Sequence, residues 1–395
     1  MSDWVRGRIS VLQLIPALDA GGAERSTIDI ARALSDAGYR ALVASRGGRL
    51  ESELRDAGGE LVRMPLETKH PMKILANART ITKLVRAEHV AIIHARSRAP
   101  AWSALFAASR SGTPFVTTYH GIYNARTPLK RWYNSVMVRG DAVIANSNWT
   151  AEHILSTYRI RPKTLSVIHR GIDFAQFDPA KINPAEVRSL RAQWHAGDNT
   201  KILLLPGRLT RWKGQLVFIE ALARLQQNAN LDNIRAVLIG DAQGRDEYVR
   251  EIEDAIALHR LEQIVILAGH SAAMPAAYAA ADIVVSASTD PEAFGRVPPE
   301  AAAMGKPVVA TNHGGARETV LPGVSGLLTP PGDAGALAAA TADLLQRPTS
   351  ELCRMGEAGQ AHVRANFSVE HMQRKTLALY ESLLTSCLHG KRSRE

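Results

Sequence analysis

The 395-residue chain reads as an α/β protein built on parallel sheets, and three features of the sequence predict this. The apolar runs Ile283-Val284-Val285 and Val308-Val309-Ala310 are β-branched and too short for helices, so they are buried strands. Between them lie a loop with Pro291, Gly295 and Pro298-Pro299, then an Ala-rich helix from about Pro299 to Gly305. Proline in the first turn and glycine just past the end mark the helix limits. The third feature is that strands and helices alternate along most of the chain, as crossover connections between parallel strands require.

The first strand spans Ile9 to Ile15, and a Gly21-Gly22-Ala23-Glu24 turn leads into a helix from about Arg25 to Ala37 that stops at Gly38. A strand, glycine turn and helix in this order can cradle phosphate on backbone amides, although the same pattern often makes only a tight turn. It is not GxGxxG, and no P-loop lysine follows. Ala41–Ala44, a helix Leu50–Ala57, Leu61–Met64, a basic helix from about Met72 to Glu88 and a strand Val90–His94 come next. Ile74, Ile81, Leu84 and Val85 form the apolar stripe of that basic helix. His94 and Arg96 fall at a strand end, where a functional and a structural role are equally in view. A helix Pro100–Arg110 follows, and Phe115–Gly121 then closes a strand with His120 before a glycine. Basic and aromatic residues share the next helix, Leu129 to about Val138, with Lys130, Arg131, Trp132 and Tyr133; this suits a lipid interface, or stacking on single-stranded nucleic acid. Asp141–Ala145 and Leu165–Ile168 complete the first sheet. The chain leaves through His169-Arg170-Gly171, and Asp178–Pro184 is read as the linker.

The second half opens with the strand Ile202–Leu205, the loop Pro206–Gly214 and a helix from about Gln215 to Gln227. Arg208 and Lys213 lie between strand and helix, so two cations and a helix dipole converge there. Ala236–Ile239 and Ile264–Leu267 are further strands, and Ala272–Ala281 is a packed helix. Glu292 sits on the Pro/Gly loop and Glu300 on the first helical turn. Singly, one reads as a solvated loop carboxylate and the other as a helix-dipole charge. Together, at the carboxyl ends of two parallel strands, they mark a ligand site. Asn312–Glu318 is a glycine turn read as site wall. Helices Ala334–Leu345, Glu351–Ala365 and about Val369–Leu388 end the fold, before a charged tail Lys391–Glu395.

Glu292-Ala293-Phe294-Gly295, with Glu300 eight positions on and Met304-Gly305-Lys306-Pro307-Val308-Val309-Ala310 behind, resembles the nucleotide-sugar site of the retaining glycosyltransferases of family 4. The resemblance runs from Gly21 to the last helix. It implies the GT-B fold: two Rossmann-like domains facing a cleft, with a C-terminal helix crossing back to the first. The expected divisions are 1–178 for the acceptor domain, 179–368 for the donor domain and 369–395 for the crossover helix and tail. It further implies that Gly21 and Gly22 contact the donor diphosphate, that Arg208 and Lys213 neutralise it, and that His120 lies near the transferred sugar. Glu292 would hold sugar hydroxyls and Glu300 the ribose, with Phe294 and Gly295 beside them. His120, Glu292, Arg208 and Lys213 are thus the expected catalytic group. The His94–Arg98 and Thr117–Gly121 segments look like bacterial members that build lipopolysaccharide or related surface glycans.

Net charge is +10. Between Arg63 and Arg139 basic residues face only Glu67 and Glu88, a field that attracts an anionic membrane or nucleic acid. The expected partners are a nucleotide-sugar donor, a lipid-linked or glycan acceptor and an anionic membrane surface, without nucleic acid. No cofactor is expected. No Asp-x-Asp motif stands at the expected position, so the diphosphate clamp is read as cationic and metal-independent. Cys353 and Cys387 give no disulfide framework, fitting a reducing compartment. No secretory signal is read in Met1–Gly7 and no apolar run reaches a membrane span, so the expected location is cytoplasmic, peripheral on the inner membrane. A nucleotide-sugar epimerase of the same architecture is the competing enzyme reading, and a basic nucleic-acid binder the non-enzymatic one.

Overall fold

The computed structural model describes residues 9–19, 21–123 and 125–392, with side chains through Ser386. The expectations placed on Met1–Gly7, on the end of the tail and on the Cys387 side chain lie outside these residues. The chain divides into two compact units, residues 1–171 with 369–395, and residues 172–368.

In the first unit seven strands form a parallel sheet: β1 Ser10–Leu14, β2 Arg40–Ser45, β3 Gly59–Arg63, β4 Val90–Ala95, β5 Phe115–Tyr119, β6 Ala142–Ala145 and β7 Leu165–Val167. Their order is β3-β2-β1-β4-β5-β6-β7. Alternate residues feed two cores, one on each face. Leu12, Leu14, Ile93 and Phe115 pack with Trp102 on one side. Val11, Ile92 and Val116 pack with Ile28 on the other. The period of two in a strand explains this division. The second unit repeats the plan with β8 Lys201–Pro206, β9 Ile234–Ile239, β10 Val265–Gly269, β11 Ile283–Ser286, β12 Val308–Thr311 and β13 Gly326–Thr329. Their order is β10-β9-β8-β11-β12-β13, again parallel throughout. Both units are therefore Rossmann-like, as expected, and in each the strand order reverses beside the first strand.

The C-terminal helix Val369–Arg392 belongs to the first unit, where Met372 and Tyr380 are buried in its core. Asp178–Pro184, read as linker, lies inside the second unit. Ile172 and Phe177 are already buried there, and Ile172 N–H donates to Phe367 O at 2.7 Å. Helix Pro184–Gln193 starts within that segment, with Asn183 Oδ1 accepting from Ala185 N and proline at its first position. The sequence reading also passed over helix Asn148–Thr157, capped by Ser147, and strand β13. The expected helix Leu129–Val138 instead splits into Pro128–Asn134 and a 3-10 turn Ser135–Val138. All four residues of that turn are buried, so it is packed on every side.

Of the two roles in view for His94, the structural one fits its surroundings: the residue is fully buried. Its Nδ1 lies 2.5 Å from the Tyr380 hydroxyl and its Nε2 2.7 Å from Thr118 Oγ1. Burial and then the Arg96 charge push its pKa well below the usual imidazole range, so the ring is neutral. This pairing ties the C-terminal helix to β4 and β5. Tyr380→Phe leaves one buried ring nitrogen without a partner, at a cost of about 1–3 kcal/mol. The first unit should melt several degrees earlier by calorimetry; an unchanged melting temperature would show that the pairing does not hold the helix.

Candidate functional site

In the second unit the site gathers where β8 and β11 end side by side. After β8, Gly207 takes φ +153° and Gly240 packs on its carbonyl, a spacing that a Cβ would close. The chain then makes the 3-10 turn Arg211–Lys213 and reaches Gly214 at φ +75°. A Cβ on Gly214 would strike the Ala287 carbonyl, so glycine lets this turn lie against the end of β11. Trp212 O accepts from Thr289 N at 2.8 Å and fastens the two segments. Lys213 is thereby carried to Glu292.

Glu292 Oε1 accepts from Lys213 Nζ at 2.8 Å and from Ser288 Oγ at 2.6 Å. Burial pushes this carboxyl up, but the Lys213 charge and the two hydrogen bonds outweigh it and hold the pKa below the usual range. The loop carrying Glu292 rests on Gly314 and Gly315. A Cβ on Gly314 would meet the Glu292 backbone and one on Gly315 the Phe294 carbonyl, and Gly315 N donates to Glu292 O at 3.0 Å. The stretch read as wall is thus the bed of the site. It also brings His313 close to Glu292, with both buried ring nitrogens lacking a hydrogen-bond partner among the described residues. Only the short Asn-His-Gly-Gly run could have pointed to that residue.

Glu300 is buried on the first turn of the helix Val297–Ala303. Its Oε2 accepts from the Tyr278 hydroxyl at 2.9 Å, and its Oε1 pairs with Arg296 at 2.7 Å. Both oxygens thus have internal partners. Pro298 and Pro299 remove two amide donors from that turn. Gly295 takes φ +72° beside Glu292, as its place in the loop requires. Phe294 departs from expectation: its side chain is 2% exposed and packs edge-on to Phe367 at 5.9 Å, so its ring is core. Arg208 is exposed, and its guanidinium has no hydrogen bond or ion pair among the described residues.

In the first unit Gly21 and Gly22 start the helix Gly22–Asp36 beside the end of β1. A Cβ on Gly22 would fall on the Arg170 guanidinium. Arg170 Nη2 lies 3.1 Å from His120 Nδ1. An arginine can only donate, so Nδ1 accepts and the proton of the neutral ring sits on Nε2. Burial first, then Arg96 and Arg170, push the His120 pKa well below its usual value. Arg170 was passed over in the sequence because it lies beyond the last strand, with no pattern of its own. Among the described residues no three His, Cys, Asp or Glu side chains converge as a metal site would need.

Residues 20–176 match Glycosyltransferase Family 4 and residues 186–362 match Glycosyl transferases group 1. A solved glycosyltransferase of Rickettsia africae is 36% identical, with a TM-score of 0.87 over 95% of this chain and 98% of that one. The Anabaena protein HepE, solved in complex with UDP-glucose, is 30% identical, with a TM-score of 0.80 over 94% and 99% of the two chains. The D-inositol 3-phosphate glycosyltransferase of Salinispora tropica is 29% identical over 74% of this chain and 64% of its own length. The next curated relative, from Xylanimonas cellulosilytica, is matched over 46% of its length.

The Lys213–Glu292 pair sets a pH dependence. The folded carboxyl pKa lies below its unfolded value, so the pair stabilises the fold fully above the unfolded value of about 4.3 and loses this as pH falls through the folded value. Charge-assisted bonds of this kind contribute about 2 kcal/mol. Lys213→Met should therefore melt about 4–8 °C below wild type at pH 7, with the gap closing on acidification towards pH 3. A gap that stays constant over that range would place the loss elsewhere.

Proposed function

Because the chain belongs to the glycosyltransferases that join a family 4 first half to a group 1 second half, we propose that it transfers a sugar, with retention of configuration, from a nucleotide-diphosphate donor to a glycan or lipid-linked acceptor. The observation that carries this reading is the clustering of Lys213, Glu292 and Glu300 around the ends of β8 and β11, with Arg208 exposed on the same loop as Lys213. Negative charge grows on the diphosphate as it leaves, and preorganised cations stabilise it. Arg208 and Lys213 supply that charge without a metal. Glu292, held by Ser288 as well as Lys213, keeps an anionic acceptor for sugar hydroxyls when Lys213 turns to phosphate. Glu300 takes the ribose hydroxyls, sharing its Oε1 with Arg296. Phe294 and Gly295 contribute backbone beside the sugar. In the first unit, Gly21 and Gly22 offer amides to the diphosphate, and His120 contacts the transferred sugar through Nε2–H.

A surface-glycan acceptor on a membrane fits the first unit's surface. Met72 and Leu75 at the start of helix Pro71–Ala87, and Leu129 and Trp132 on helix Pro128–Asn134, are exposed. Both segments flank helix Arg98–Ser111, through the Ser103 to Ile74 hydrogen bond and the stacking of Trp132 on Trp102 at 4.8 Å. Lys69, Lys73, Arg126, Lys130 and Arg131 surround them, and neither segment holds an acidic residue. Apolar side chains among cations suit an anionic bilayer surface. No helix of the described residues is long and apolar enough to cross a membrane. A phosphorylated polyol acceptor is the second reading, favoured by the name of the Salinispora relative.

UDP, GDP, ADP and dTDP distinguish the donor by thermal shift. One of them at 100-fold over its Kd should stabilise the wild type by about 2.7 kcal/mol, with a much smaller ligand-induced shift in Glu300→Ala and Arg208→Ala. No shift with any nucleotide at millimolar concentration would remove the donor reading, and donor epimerised without acceptor would favour the epimerase. For the membrane, full-length protein should sediment with phosphatidylserine vesicles at low salt, and Leu129→Glu with Trp132→Glu should abolish this; equal sedimentation of the double variant would clear that face of the role.

A further inference from the structure

One cavity of the first unit is lined by buried donors that no acceptor among the described residues answers. It is small, about 10 Å3, with room for one water-sized group. Ser26, Arg96, Thr118, His120, Asn146 and Arg170 bound it. Arg96 is 2% exposed, and its Nη2 donates to Ser26 Oγ at 2.5 Å. Its Nε has no acceptor, and among the described residues no carboxylate lies within ion-pair distance of it. Asp29 and Tyr380 reach it only through longer-range charge. Glu24, in the first turn of helix Gly22–Asp36, interacts in charge with Arg170. The second unanswered donor is His120, whose Nε2 carries the ring proton and is likewise buried without an acceptor. Of the residues that bound it, His120 and Arg170 are partly exposed.

We propose that this cavity takes one oxygen of a carboxylate or phosphate carried by the sugar or polyol that lies against His120, so that the substrate of this protein is acidic. The proposal rests on the reading of His120 given above and adds the chemical class. A buried guanidinium without a counter-charge is costly, and a protein keeps one where an anion completes it. A neutral hydroxyl would satisfy the two N–H groups but leave the Arg96 charge uncompensated. A carboxylate or phosphate oxygen satisfies both donors and the charge. Sites built around such groups reject analogues that lack the matching partner. The acid can be borne by the donor sugar or by the acceptor, and binding separates the two.

Isothermal titration of the full chain compares UDP-glucose with UDP-glucuronate for the donor. A second series compares glucose with glucuronate and glucose 6-phosphate, and inositol with inositol 3-phosphate, with and without UDP, for the acceptor. In at least one pair the acidic member should bind at least about tenfold more tightly. Arg96→Met should erase that preference while UDP affinity stays within about twofold. Should Arg96→Met lose its cooperative melt, Arg170→Met and Arg96→Lys carry the same comparison. Equal binding of acidic and neutral members in every pair overturns the proposal, and if UDP still binds, the transferase reading survives. Acid preference among the free sugars without UDP binding would leave the cavity as assigned and remove the UDP donor.

Discussion

The reversal of strand order is the constraint on which both sites depend. In a parallel sheet every strand is joined to the next by a crossover, and right-handed crossovers place helices on one face or the other according to the direction in which the sheet grows. Where growth switches direction, between β1 and β4 in the first unit and between β8 and β11 in the second, neighbouring strands send their chains to opposite faces. Their carboxyl ends are left uncovered by either connection. Gly21, Gly22 and Arg96 follow the ends of β1 and β4, and Lys213 and Glu292 follow those of β8 and β11. Residues more than 70 positions apart in sequence meet because the topology leaves them the same opening.

Given that opening, close backbone packing decides which side chains enter it. Gly214 against Ala287, and Gly314 and Gly315 against the Glu292–Phe294 backbone, remove Cβ atoms where strand-end loops cross. The loops can then approach closely enough for Lys213 to reach Glu292. Burying either charge alone would be unfavourable, and the pair with Ser288 satisfies both. Glu300 is secured separately, by Tyr278 from the neighbouring helix and by Arg296 one turn back. The acidic residues of the second unit are thus held in place by the fold itself, before any role in binding is considered.

The sequence made the alternation of strands and helices legible, and with it the parallel sheets, because β-branched runs and glycine turns are local signals. The same signals exposed Gly21, Gly22, Lys213, Glu292 and Glu300, each of which sits at a strand-to-helix junction. They failed where the deciding contact is distant. His94 and His120 both sit near the carboxyl ends of strands, yet His94 faces Tyr380, 286 residues away, and is core. Phe294 shares a motif with Glu292, yet strand-end geometry turns its ring inward to Phe367. Arg170 and His313 sit on glycine-containing segments that resemble ordinary turns until tertiary packing sets them beside His120 and Glu292. The helix Pro184–Gln193 was obscured by its own caps, since Asn183 and Pro184 are turn residues and helix starters alike.

The two units solve the problem of buried charge differently. In the second, Lys213 and Arg296 each have a carboxylate within 3 Å, and the site cation without one among the described residues, Arg208, is exposed. In the first, the buried Arg96 has a hydroxyl partner and, among the described residues, no carboxylate within ion-pair distance. Arg96 is depressed to about 10 by burial, which shows how strongly its surroundings resist the charge, and it still stays protonated at neutral pH. A carboxylate already paired can recognise hydroxyls by exchange of partners at little electrostatic cost. A buried cation without a counter-charge gains most from a ligand that brings one. On the reading proposed above, the second unit's carboxylates match hydroxyl groups, its Arg208 and Lys213 match the diphosphate, and the buried Arg96 of the first unit matches a further negative charge.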